Sequence, residues 1–148
     1  MSVASGPVNS GQASVEVFTD DGAGKVGGRV PPPVGVALTP LRADACPVSV
    51  LTDTPGEAYV EVGRHGTRFE LWEREGQGFD SAVRGLVEAV VEGRYEEWVR
   101  LGRNERRVAA KGVFHLEDGT PRTVLHNTLG LLVERRPGWR HITYTPYR

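Results

Sequence analysis

The sequence is poor in several features that carry recognisable chemistry. It holds one cysteine, Cys46, and one methionine among 148 residues. A single thiol excludes an internal disulfide framework and a cysteine-based zinc cluster. Lysine is scarce, with arginine outnumbering it 16 to 2. With abundant Gly, Ala and Val, that bias suits the codon usage of a GC-rich bacterial genome. No run approaches the ~18 apolar residues of a membrane span, and the N-terminus has no basic region followed by an apolar stretch. The expectation is a cytoplasmic protein with no membrane association.

Phosphate and hydrolase fingerprints are missing too. Gly22-Ala23-Gly24-Lys25 contains a Gly-Lys pair, but Val26 stands where Ser or Thr would hold magnesium. No Gly-x-Ser-x-Gly, His-Glu-x-x-His or Gly-x-Gly-x-x-Gly pattern falls in a suitable context. Cys46 has no adjacent base to lower its pKa and reads as a buried, inert thiol. His65 reads as a turn residue. No catalytic residue and no cofactor is expected.

What is present is patterned. Hydrophobic residues make up 39% of the chain, and the shortfall against ~45–50% for typical domains that count glycine falls on the N-terminal segment. Residues 1–30 are rich in Gly, Ser, Ala and Asp and read as a flexible tail, with a short strand near Ser14 to Phe18. Residues 31–148 read as a single α+β domain, entered through the extended run Pro31-Pro32-Pro33.

Within that domain, Val34 to Leu41 and Pro47 to Leu51 read as strands. Glu57 to Gly63 and Thr67 to Glu73 alternate and form a hairpin. A two-residue His65-Gly66 loop pairs Val62 with Phe69 and Val60 with Leu71 on the apolar face. It pairs Tyr59 with Trp72 and Glu61 with Glu70 on the other. Val83, Leu86, Val87, Val90 and Val91 recur at helical spacing after Asp80, the expected N-cap. Tyr95 to Leu101 reads as a further helical turn past Gly93.

Val108 to Leu116 and Thr123 to Val133 flank Asp118-Gly119, a strong hairpin signal. With those two residues as the loop, Phe114 faces Thr123 and Gly112 faces Leu125. A last hairpin at Arg136 to Trp139 sets Val133 against Ile142. The fold expected is α+β, a largely antiparallel β-sheet of about five to seven strands with one main helix on its apolar face.

In that register His115, His126 and His141 share the outer face. His115 and His126 then lie on the order of 13 Å apart and Glu134 roughly 26 Å from His126, too far to share a metal. No metal site is expected.

Charge is unevenly distributed. Residues 56–98 carry a net of −5 and residues 99–148 a net of +6, although the whole chain is −1. Such polarity points to surface binding. The expected role is a non-enzymatic protein-binding module of accessory, inhibitor, immunity-like or assembly type. Its partner is another protein or a second copy. Its site is a mixed apolar and cationic sheet face of Arg107, Lys111, Val113, His115, Arg122, Val124, His126 and Trp139.

Two alternatives stand beside it. One is a small-molecule enzyme or ligand-binding protein with a pocket at Tyr59, Glu61, Glu70 and Trp72, where opposed carboxylates split their pKa values. The other is nucleic-acid binding through the basic C-terminal third, which lacks an interleaved aromatic platform.

Overall fold

A computed structural model describes residues 2–4, 13–19, 34–52, 54–73, 78–102, 107–126 and 138–147. Six strands come first: β1 (Ser2–Ala4), β2 (Ala13–Thr19), β3 (Val34–Pro40), β4 (Val48–Thr52), β5 (Glu57–Val62) and β6 (Thr67–Trp72). Helix α1 (Phe79–Val91) follows, then β7 (Tyr95–Leu101), β8 (Arg107–His115), β9 (Pro121–His126) and β10 (Trp139–Thr143).

The class is α+β with antiparallel pairing. The strands divide into two sheets, a six-stranded meander in chain order and a four-stranded sheet ordered β10-β7-β8-β9. Strands β1 and β2 lie in the segment read from sequence as a tail, and β2 pairs with β3 along its whole length. Among the described residues no helix is long and apolar enough to cross a membrane.

Alternation builds the core. Val48 on β4, Ala58, Val60 and Val62 on β5 and Leu71 on β6 are buried, while their neighbours point outward. Phe69 of β6 meets Phe114 of β8 edge to face, with ring centroids 5.7 Å apart, so the inner faces of the two sheets share one core. Leu86, Ala89 and Val90 of α1 complete it.

The first hairpin pairs two residues out from the expected register. Val62 faces Thr67, Glu61 faces Arg68, Tyr59 faces Glu70 and Glu57 faces Trp72. A shift of two keeps every side chain on its face, so the apolar pattern could not detect it. The four-residue loop Gly63 to Gly66 replaces a like-charge pair by an Arg68–Glu61 ion pair at 2.6 Å.

The second hairpin slips by one. Leu116 N–H donates to Thr120 at 3.1 Å and Gly119 N–H to Leu116 at 3.0 Å, closing a three-residue loop with Gly119 at φ +78°. Phe114 therefore faces Arg122, and Gly112 faces Val124. A slip of one turns a strand over: Val124 is buried and Leu125 is exposed.

Helix α1 starts from Gly78, so Asp80 is in the first turn and not at the N-cap. Beyond the helix, Gly93 N–H donates to Val90 at 3.0 Å and Arg94 N–H to Ala89 at 2.7 Å. That double bond pattern around a left-handed glycine, φ +71°, ends a helix. The chain then enters β7, a central strand and not a second helical turn. Tyr95, Glu97 and Val99 point inward at period two.

Strand β10 pairs with β7. The hairpin expected at Arg136 to Trp139, and the residues Leu129, Leu131 and Val133, lie outside the described residues. The segment after β10 ties the sheets together. Thr145 bridges Ala45 in parallel, and Tyr147 N–H donates to Val91 at 2.9 Å.

Candidate functional site

The outer face of the four-stranded sheet follows from the registers. Glu96, Trp98 and Arg100 of β7 share it with Lys111, Val113 and His115 of β8, Thr123 and Leu125 of β9, and Trp139 and His141 of β10. Because β7 lies between β8 and β10, Glu96 is flanked from both sides. Its Oε1 lies 2.8 Å from Nε2 of His115, and its Oε2 lies 2.6 Å from Nε2 of His141. Burial pushes the Glu96 carboxyl up, but the hydrogen bonds of the two imidazoles outweigh it and hold the group below its ordinary value.

The His141 ring stacks on Trp98, with centroids 4.4 Å apart and planes within 10°. The Lys111 ammonium lies 5.7 Å from the same indole on β7's other flank. The result is an ordered cation–indole–imidazole row bordered by the exposed Leu125. His141, expected opposite Glu134, instead shares the Glu96 carboxylate with His115. Among the described residues no group of three His, Cys, Asp or Glu side chains could hold a metal ion.

The expected site is split by the one-residue slip. Lys111, Val113, His115 and Trp139 do share the outer face. Arg122, Val124 and His126 are set opposite Phe114, Gly112 and Ala110, on the inner register. The side chain of His126 lies outside the described residues. Arg107 follows a bulge in the β7–β8 ladder, and its guanidinium donates to the carbonyls of His65 and Gly66. It braces the first hairpin turn. Glu96, Trp98 and His141 were not anticipated as a cluster, although the alternation of Tyr95, Glu97 and Val99 is a strand signal.

The alternative pocket loses its proposed chemistry. Glu61 is ion-paired with Arg68, and Glu70 stands opposite Tyr59, so no carboxylate pair forms. An open cleft of about 690 Å³ does run past Ser49, Leu51, Tyr59, Glu61, Glu70 and Leu125. Trp72 is outside its lining and borders a neighbouring cleft between β6 and β9.

Inside the core, Cys46 has no solvent exposure, and burial pushes its thiol far above the ordinary range, away from nucleophilic use. Compared with protein-family models, with curated proteins and with solved structures, the chain matches none.

Proposed function

We propose that this chain is a non-enzymatic protein-binding module that docks an acidic protein surface on the outer face of its four-stranded sheet. One observation carries the reading: the Trp98 indole is held between the His141 ring and the Lys111 ammonium on a solvent-facing sheet. A stacked aromatic loses little side-chain freedom on binding, and Trp with cationic neighbours is the composition of interface hot spots. Arg100 and Lys111 outnumber Glu96 among its fixed charges, which favours an acidic partner.

The same row supplies the aromatic platform that a sheet-based nucleic-acid reader needs. Against that use, Glu96 sits in the middle of the face, and Arg122 and Arg107 lie off it, leaving a short cationic track. The setting on this reading is the cytoplasm, which a lone unpaired thiol suits.

The test is a fluorescence titration at low salt with polyglutamate, polylysine and oligouridylate. Polyglutamate should bind, and Trp98→Ala with Lys111→Glu should weaken it at least ~10-fold, about 1.4 kcal/mol. Preference for polylysine, or no binding of polyglutamate, overturns the reading. Tighter binding of oligouridylate reassigns the face to nucleic acid.

A further inference from the structure

We propose that the acidic surface taken up by the cationic face is that of a second copy of this chain, docking through the outer face of the six-stranded sheet. The inference rests on the reading of the cationic face above and adds its occupant.

The two outer faces lie away from the core that Phe69 and Phe114 share and adjoin at the cleft that Tyr59, Glu61, Glu70 and Leu125 line, so one molecule presents two distinct surfaces. On the six-stranded sheet the registers place Glu16, Glu57, Glu61 and Glu70 on the outer side. Arg68, ion-paired with Glu61, is the one cation on that side among the described strand residues. Tyr59 and Trp72 stand among these carboxylates at 41% and 53% exposure, large apolar rings left at the surface.

The face is thus acidic and aromatic where the other is cationic and aromatic. The acidic face supplies the carboxylates that Arg100 and Lys111 lack, and its Tyr59 and Trp72 add further ring faces over which a cation can lie. On these faces the block of net −5 supplies Glu57, Glu61 and Glu70, and the block of net +6 supplies Arg100 and Lys111. Two different patches joined head to tail make a heterologous contact, which builds open chains or closed rings.

Sedimentation velocity tests the pairing. At low salt the mass of the wild-type protein should rise with concentration. It should fall to one chain in ~1 M salt, where the screening length is ~3 Å. Glu57→Gln with Glu70→Gln removes charge from one face, and Arg100→Gln with Lys111→Gln removes it from the other. Each variant should be a single chain alone, with association weakened at least ~10-fold. Mixed in equal amounts, the two retain one intact face each and should form a species of two chains and nothing larger.

A wild-type protein that stays a single chain at every concentration overturns the inference, while the polyglutamate titration still reports on the cationic face. Association that survives either neutralised variant also overturns it, because some other surface then carries the contact.

Discussion

The Tyr144 hydroxyl donates to Oε1 of Glu97 inside the core, where the glutamate has no exposure to solvent. The other oxygen accepts the Thr67 hydroxyl at 3.1 Å, and the Arg64 N–H donates to the Tyr144 oxygen at 2.9 Å. Burial and then the bond to Glu97 push the Tyr144 phenol above its ordinary range, so it remains a donor. Tyr144→Phe leaves both Glu97 and the Arg64 N–H short of a partner. The expected loss is about 1–3 kcal/mol, the cost of leaving a buried polar group without its partner, read from urea unfolding. An unchanged midpoint would remove the network from the list of stabilising features.

Gly63 makes room for the same carboxyl. A Cβ at that position would stand 2.5 Å from Oε2 of Glu97. Gly63→Ala should therefore cost about 1–3 kcal/mol by crowding, added to the strain of a side chain at φ +83°. In a Glu97→Ala background the same change should cost less, since the clashing atoms are gone. A double-mutant cycle reads the difference, and strict additivity would show that crowding is not the cause.

Glu96 sets the response to acid on the outer face. Its carboxyl is held below the ordinary value by His115 and His141, against the opposing effect of burial. A lower value in the folded state means that folding favours the ionised form. The stabilisation is complete above the unfolded value of about 4.3 and is lost as the pH falls through the folded value. His115→Ala with His141→Phe, which keeps a ring against Trp98, should flatten the fall in unfolding midpoint from about pH 5 to about pH 3. Parallel curves for the two proteins would contradict this assignment.

Cys46 reports on opening of the core. With no exposure and a thiol pushed up chiefly by burial, it should resist a thiol-specific reagent in the native protein at mildly alkaline pH. It should react fully in denaturant, and the native rate should track the population of open molecules. Rapid labelling of native protein would contradict the burial described here.

Much of the architecture was legible because alternation and helical spacing are dictated by burial. The Val60–Val62 and Phe69–Leu71 strands, the Val83–Val91 helix and the α+β class could all be read from the chain. Register was less legible. Val62 suits Thr67 and Phe69 equally as inward neighbours, and only the outward partner of Glu61, Arg68 or Glu70, separates the four-residue loop of Gly63 to Gly66 from a two-residue loop. At Asp118-Gly119 the dipeptide is compatible with loops of two and of three residues. The choice decides whether Val124 or Leu125 faces the core.

The candidate site was hidden by one element. Tyr95 to Leu101 follows a helix and carries two glutamates, which argues for continued helix until the Gly93 stop is weighed against the alternation. Without β7 between β8 and β10, nothing brings His115, Glu96 and His141 together. Pairing distant in sequence is not encoded in any local window.

The short C-terminal segment imposes a timetable on the molecule. Tyr147 donates to the Cys46 carbonyl across 101 positions of sequence, and Tyr144 accepts from Arg64 across 80. A chain emerging from the ribosome can form the six-stranded meander and α1 from neighbouring residues. It cannot seal the interior until Tyr147 has been synthesised. Until then the carbonyls of Cys46 and Val91 lack the partners that Tyr147 brings, and chaperones or proteases have their best opportunity to act on the nascent chain.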